Sequence, residues 1–459
     1  MDKDQDGSNI KVRHLAAQTV YRITENGAYT NLAIDKALRE SGFDLVEKKL
    51  FTEIVSGSIR MLKHLDWVLN MFLNNGINRQ NPWLRTVLRV SVYQMLFMDR
   101  IPDYAVVNDA VEICKTGTNQ NLARVANGVL RNIARNRGKI EYPTEKVSRL
   151  ATIYSHPEWI VQYLLDNFDE VEAIRIMEYD NSYPRVIIRC NTLKGSREDL
   201  AFIDLRGEGY LASISSLTPW GIILQSSEKP LAQSMAFKNG LFYIQNEASM
   251  LAGAILGPKE NEIVFDLCAG VGGKATHMAE LMNNQGLIYA FDLYQHKINL
   301  LRQTCTRLGI SIIKANAMDV LNLQINDPEA DRVLLDAPCT GLGVLNRRAD
   351  ARWRRNREDI YQLQKIQTEL LNKAANLVKK GGLVLYATCT ITEEENQQVV
   401  CNFLKNNDFA LEGFAHNIEF FPLDDQDRND AVNGMLTILP GKYNTDGMFY
   451  ALMRRKYTD

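Results

Sequence analysis

Apolar residues recur every three to four positions from about Ile10 to Arg137, as at Val12, Ala16, Val20 and Ile23, and again through 83–98 and 105–116. That period predicts amphipathic helices, and residues 1–140 carry enough of them for a small all-helical bundle. Pro102 and Gly128 punctuate the pattern without breaking it, and Arg137-Gly138-Lys139 through Pro143 reads as a connector. A second region, 144–240, starts in helical register, with Ser155-His156-Pro157-Glu158 as a helix start, and then brings the β-branched run Val186-Ile187-Ile188. This mixture predicts a small α+β module.

From about Leu241 the pattern changes again. Short buried-strand runs at 263–265, 287–291, 312–315, 333–335 and 383–386 alternate with helical stripes, the first starting at Ala275 and the second running through Leu300. Leu363, Ile366, Leu370, Ala374 and Leu377 mark a crossover helix, expected to close at Gly381-Gly382. The alternation predicts an α/β fold over 241–459, a doubly wound, Rossmann-like sheet that is mostly parallel. The runs 436–439 and 448–453 suit an antiparallel edge hairpin.

Composition narrows the function classes. With 46% hydrophobic and 24% charged residues the chain is ordinary for a soluble protein, and no stretch approaches about 18 uninterrupted apolar residues. No membrane partner is expected, and the chain's start lacks the apolar segment of a signal peptide, so a cytoplasmic, monomeric protein is expected. The 7 cysteines contain no Cys-x-x-Cys pair, which argues against a disulfide framework and against a metal site. Charge is balanced overall, 53 Lys+Arg against 55 Asp+Glu, so bulk electrostatics does not announce a partner. Locally it does: Arg347, Arg348, Arg352, Arg354, Arg355 and Arg357 crowd together around Trp353. A solvated helix start is the ordinary explanation of such a run; with a stacking aromatic interleaved, phosphate and base contacts by Arg347, Arg352 and Trp353 are expected.

The candidate chemistry lies at strand ends. Val333-Leu334-Leu335 leads into Asp336-Ala337-Pro338-Cys339, and Leu383-Val384-Leu385 into Tyr386-Ala387-Thr388-Cys389. Both thiols therefore fall at the carboxyl edge of the sheet, where open α/β folds bind ligands. Buried structural cysteines are the bland alternative, and Cys114, Cys190, Cys305 and Cys401 keep it. Upstream, the strand ending in Asp266 is followed by Leu267-Cys268-Ala269-Gly270-Val271-Gly272-Gly273-Lys274, a glycine-rich turn that lets a ligand approach bare backbone. Asp292 closes the next strand and is placed to bond ribose hydroxyls; Asp319 follows the third strand and is placed for an adenine amino group, although a helix-capping role is nearly as good an account of it. Strand-end acids suit a nucleoside better than a nucleotide, which favours S-adenosylmethionine over NAD, and there is no Walker Gly-Lys-Ser/Thr sequence for ATP. Methylating carbon 5 of a cytosine requires a thiolate to add to carbon 6, and Cys389, Cys339 and Asp336 supply the groups such a reaction uses.

These motifs together resemble the NOL/NOP/Sun family of RNA cytosine-5 methyltransferases, and the likeness spans nearly the whole chain, beginning with a helical domain like that of the antitermination factor NusB. The resemblance implies Cys389 as nucleophile, Cys339 as the residue assisting product release, and Asp336 as a contact to the base. It implies S-adenosylmethionine held by residues Cys268 to Lys274 with Asp292, Asp319 and Asp336, and RNA, 16S ribosomal RNA above all, as substrate. Asn191, Gln245, Arg347 and Asp350 stand at recurrent polar positions of the family. The family's usual Ala-Pro-Gly-Gly-Lys loop reads Gly270-Val271-Gly272-Gly273-Lys274 here, Thr390 replaces a serine, and Asn246 stands where an aspartate is common. The rivals are a transfer RNA methyltransferase, a DNA cytosine methyltransferase relying on the Pro-Cys thiol, and a catalytically idle RNA-binding or antitermination protein.

Overall fold

The computed structural model describes residues 3–117, 120–226, 230–323 and 329–457. Contacts divide the chain into two compact units, Met1–Ser182 with Leu345–Arg355, and Tyr183–Val344 with Asn356–Asp459. No helix among the described residues is long and apolar enough to cross a membrane.

The first unit is helical. Its bundle contains Leu45–Arg60, started by an Asp44/Glu47 capping box, Pro82–Phe97, started by Asn81 with proline at the first turn, and Asp103–Gly117 and Gln120–Asn136. Val12, Ala16 and Val20 of the helix Lys3–Thr24 meet Ile54, Leu88 and Leu130 in one core, as their periodicity predicts. By their contacts the helices Lys146–Ile153, Glu158–Asn167 and Glu170–Asn181 also fall in this unit. Helical period says which face a helix buries but not which neighbour it buries against.

The arginine-rich segment belongs to this unit and corrects an expectation. Arg352 is fully buried, and its guanidinium donates to the carbonyls of Ser155 (3.0 Å) and Asp180 (3.0 Å) and to Asn181 Oδ1 (2.9 Å). Trp353 donates its indole N–H to the Ile59 carbonyl at 2.7 Å and packs against the bundle core. Both side chains anchor protein to protein and are withdrawn as phosphate and base contacts. Arg354 reaches Asp350 at 3.1 Å, and Arg347 is half-buried.

The second unit holds two sheets. Strands β1 (Val186–Cys190), β2 (Leu211–Ile214), β3 (Gly221–Ser226) and β4 (Phe242–Ile244) form an antiparallel sheet in the order β2-β3-β1-β4. The larger sheet contains β5 (Ile263–Asp266), β6 (Leu287–Asp292), β7 (Ile313–Ala317), β8 (Ala330–Asp336), β9 (Val378–Thr388), β10 (Phe409–Leu411), β11 (Met435–Ile438) and β12 (Met448–Arg455). Its order is β10-β12-β9-β8-β5-β6-β7, with β11 pairing β12. Strands β5 to β9 run parallel, and β12 is antiparallel to β9, β10 and β11. The expected terminal hairpin is therefore present, but β12 lies inside the sheet and not at its edge.

The expected glycine stop of the crossover helix is a second correction. That helix, Glu358–Leu377, passes directly into β9, and Gly381 and Gly382 lie within the strand. The register of β8 against β9 shifts there, and a Cβ on Gly382 would stand 2.8 Å from the Asp331 carbonyl oxygen. Close backbone approach, and not a helix cap, requires the glycine.

Arg189 of β1 ties the two sheets together. It is fully buried and pairs with Glu280 of the helix Gly273–Leu281 through two bonds, 2.8 and 2.9 Å, while also bonding the Gly273 carbonyl (2.7 Å), Thr276 Oγ1 (3.0 Å) and Gln245. Asn191 bonds the carbonyls of Gly240 and Leu308 at 2.8 and 2.9 Å, a second fastening of β1.

Candidate active site

Strand order reverses between β5 and β8: β6 and β7 lie to one side, β9 and β12 to the other. Such a switch point opens a crevice at the carboxyl ends of the strands, and the expected site residues of the second unit lie at the ends of β5, β6, β7, β8 and β9 or in the loops just beyond them.

The turn after β5 is held from its neighbours. Ala269 N–H donates to the Phe291 carbonyl at 2.7 Å and Gly270 N–H to Asp292 Oδ2 at 3.1 Å, so the end of β6 fixes the loop. Gly270 and Gly272 have φ of +58° and +93°, the left-handed region that favours glycine. A Cβ on Gly272 would strike Leu301 at 2.1 Å, whereas one on Gly270 would meet nothing within 4 Å. Packing thus explains Gly272, and open space stands over Gly270. Val271 is exposed, and the Cys268 thiol is held protonated by burial and by the carboxylates of Asp266 and Asp336.

Acids crowd this edge. Asp266 is buried, no side-chain donor bonds its carboxylate oxygens, and burial followed by the Asp336 charge pushes its pKa up to about 7. Asp292 accepts from Tyr294 N–H at 2.9 Å and pairs with Lys297 at 3.2 Å. Asp319 caps the short helix Val320–Asn322 by accepting from Leu321 N–H at 3.0 Å, the role its position suggested nearly as well as the adenine contact. Lys274, in the first turn of its helix, lies 2.6 Å from Asp336 Oδ2. Burial alone lowers the pKa of such an ammonium, but Asp336, Cys389 and Asp266 together hold it above its ordinary value.

The two thiols meet. Cys339 Sγ and Cys389 Sγ are 3.4 Å apart, both unbridged. The hydrogen bond to Cys389 is the largest cause raising the Cys339 pKa, followed by burial and the charges of Cys389 and Glu395. The Cys339 thiol is thus held protonated, and the Lys274 ammonium interacts electrostatically with Cys389.

A buried polar brace, unmarked by any motif in the sequence, joins the two cysteine loops. Glu395 accepts from Thr340 N–H (2.8 Å), Thr340 Oγ1 (2.5 Å), Thr392 Oγ1 (2.7 Å) and Gln367 Nε2 (3.0 Å). Thr340 Oγ1 also meets Thr390 Oγ1 at 2.7 Å, so the residue after each cysteine touches its counterpart. Asn396 accepts from Thr388 Oγ1 at 2.6 Å and donates to the Thr390 carbonyl at 3.1 Å, bracketing Cys389 from both sides. Gly343 N–H donates to the Cys389 carbonyl at 2.9 Å, and a Cβ at Gly343 would stand 2.8 Å from that oxygen.

Comparison with known proteins gives the family. Three family models match: "16S rRNA methyltransferase RsmB/F" over residues 253–454, "NusB family" over 10–135, and "Methyltr_RsmF/B-like, ferredoxin-like domain" over 156–229. The chain is 35% identical to a probable ribosomal RNA small subunit methyltransferase B of Bacillus subtilis, covering 97% of this chain and 99% of that one. It is 34% identical to the protein of the same description from Synechocystis, covering 97% and 100%. The solved structure of PH0851 superposes with a TM-score of 0.81 at 29% identity, over 97% of this chain and 98% of that one. Fold and relatives define a methyltransferase, and the carboxyl edge of its sheet carries two thiols. The chain belongs to the RsmB/F family of ribosomal RNA methyltransferases, with a NusB domain, a ferredoxin-like module and a methyltransferase domain in that order.

Proposed function

We propose that this enzyme transfers a methyl group from S-adenosylmethionine to carbon 5 of a cytosine in 16S ribosomal RNA through a covalent adduct at Cys389. The observation that carries the reading is the thiol pair, 3.4 Å apart, in which Cys389 and burial push the Cys339 thiol up while Cys389 interacts electrostatically with the Lys274 ammonium. A family member with the curated relatives' printed substrate, small-subunit ribosomal RNA, gives the nucleic acid.

The loop fits a cationic nucleoside. Asp266 is a buried carboxylate without a side-chain donor, which an ammonium or sulfonium nearby would stabilise, and Gly270 leaves room for close approach. Residues 268–274 would hold the cofactor, Asp292 its ribose and Asp319 its adenine. When bound, S-adenosylmethionine supplies the electrophilic methyl.

The chain's own groups do the rest. Cys389 Sγ adds to carbon 6 of the flipped base, and the C5=C6 electron pair becomes available at carbon 5. Asp336, fixed by Lys274 at 2.6 Å, faces the base and stabilises the adduct. After transfer, the carbon 5 proton must leave so that the C6–S bond can break. Cys339 is suited to assist because the bond to Cys389 that keeps it protonated disappears once Cys389 sulfur is bonded to carbon. Its acidity therefore rises at the step that calls for a base. Arg347 remains a candidate RNA contact.

Bisulfite sequencing of ribosomal RNA from cells with and without the gene tests the reading. Loss of one protected cytosine in the small-subunit RNA is expected; an unchanged small-subunit pattern with a lost site in transfer RNA would reassign the substrate. Cys389→Ala should abolish methylation, and Cys339→Ala should accumulate a protein–RNA adduct visible on a denaturing gel.

A further inference from the structure

The helix Gln120–Asn136 buries Ala123, Ala126, Val129, Leu130 and Ile133 against the bundle. On its opposite side stand Arg124, Gly128, Arg131 and Arg135, at spacings of four, three and four that keep them within about 60° of one another around the helix axis. The short helix Arg137–Lys139 adds Arg137 and Lys139, so residues 120–139 carry five basic residues and no Asp or Glu, in a chain whose formal net charge is -2. All five are exposed.

A solvated helix face is the ordinary account of surface charge, and the same unit shows what that looks like. Arg39 pairs with Asp35, Lys115 with Glu112 at 2.6 Å and Lys146 with Glu170 at 2.8 Å. None of the five cations on this face has an acidic partner among the described residues. The remaining polar groups of the face are uncharged amides, with Asn136 bonded to Asn132 at 2.8 Å.

Gly128 is the second observation. Glycine at a mid-helix position weakens a helix relative to alanine, and nothing in the fold asks for it here: a Cβ would meet no atom within 4 Å, and the residue is not in the left-handed region. A gap at the centre of an arginine row, unneeded for packing, suits close approach by another backbone.

We propose that this face is a track for the phosphate backbone of the substrate RNA, with Arg124, Arg131 and Arg135 on successive phosphates and the strand lying over Gly128. The row spans about 16 Å along the axis, enough for several phosphates. It rests on RNA being the substrate and reads positions away from the chemistry, so it sets affinity and register but not the identity of the methylated base.

The test measures binding of a 16S ribosomal RNA transcript by the full-length chain across a series of salt concentrations. The variant Arg124→Gln with Arg131→Gln and Arg135→Gln should bind about tenfold or more weakly, with the slope of log affinity against log salt reduced by about 2, the value for three lost phosphate contacts. Gly128→Gln should raise the melting temperature while weakening binding several-fold, two effects that a purely structural glycine would not show together. Affinity and slope equal to wild type in the triple variant would overturn the proposal. Methylation of the same transcript by the wild-type enzyme is scored in parallel, so that RNA bound through this face but never methylated counts against the proposed reaction and not against the track.

Discussion

Replacing Glu395 separates the work of the brace from the work of the thiols it holds. The carboxylate is fully buried and takes four hydrogen bonds from Thr340, Thr392 and Gln367. In Glu395→Ala the hydroxyl of Thr340 keeps its partner Thr390 at 2.7 Å, but the Thr340 N–H is stranded, and the Gln367 amide, left with the Pro338 carbonyl at 2.9 Å, has one N–H unpaired. Two buried unpaired donors at about 1–3 kcal/mol each predict a loss of about 2–6 kcal/mol, a large part of the 5–15 kcal/mol of a typical domain. Glu395→Gln keeps a carbonyl oxygen for those two donors and offers its amide to hydroxyls that can turn to accept, so about 1 kcal/mol is expected. Because Thr340 and Thr390 directly follow the two cysteines, loosening them misplaces both sulfurs; a shift of about 1 Å costs on the order of 100-fold in rate. Urea unfolding and single-turnover methyl transfer on the folded fraction give the two readouts. A Glu395→Ala enzyme that loses stability yet transfers methyl at the wild-type rate would refute the positioning argument, and one that keeps its stability would refute the hydrogen-bond ledger.

Two further predictions concern charge. Lys274→Met removes the cation beside Cys389, so its thiolate becomes harder to form and the acid limb of the pH–rate profile should move up by about 1 pH unit or more; an unmoved limb would show that Lys274 does not activate the nucleophile. Asp266 has a folded pKa raised to about 7, so its neutral form favours the fold below about pH 4 and that contribution is lost as pH rises to about 7. The ligand-free protein should therefore lose stability over that window, by up to about 4 kcal/mol from this group, and Asp266→Asn should flatten the dependence in pH-resolved thermal melts.

Much of the sheet was readable because a parallel strand buried on both faces announces itself as a short apolar run, and the residues just past its carboxyl end line the reactive edge. Cys339, Cys389, Asp292 and the loop to Lys274 were placed at that edge of the sheet in this way. Residues whose meaning lies in a partner far along the chain were not. Arg189 and Glu280 are 91 positions apart, and Thr340 and Glu395 are 55 apart, so neither pair leaves a local pattern. Glu395 and Asn396 sit in Thr392-Glu393-Glu394-Glu395-Asn396, which reads as a polar, solvent-facing run although Glu395 and Asn396 are wholly buried. Arg352 misled for the complementary reason: an arginine among arginines looks electrostatic, and only its three buried oxygen partners show it to be structural. Gly381-Gly382 matched a helix stop because the same residue also serves where strands crowd.

The segment Leu345–Arg355 makes the two units inseparable as pieces of sequence. It belongs to the helical unit, while the chain on either side of it belongs to the other. A gene cut after Ser182 would yield a helical fragment lacking a part that arrives only 163 residues later in the chain, leaving the Ser155 and Asp180 carbonyls without the Arg352 guanidinium. The other fragment would carry that part with nothing to plug into, six residues after Cys339. On the ribosome, the helical unit likewise cannot finish folding until the reactive half of the enzyme is mostly synthesised. The two modules are thus interlaced along the chain, and neither stretch of sequence can be traded for another without carrying the part that belongs to it.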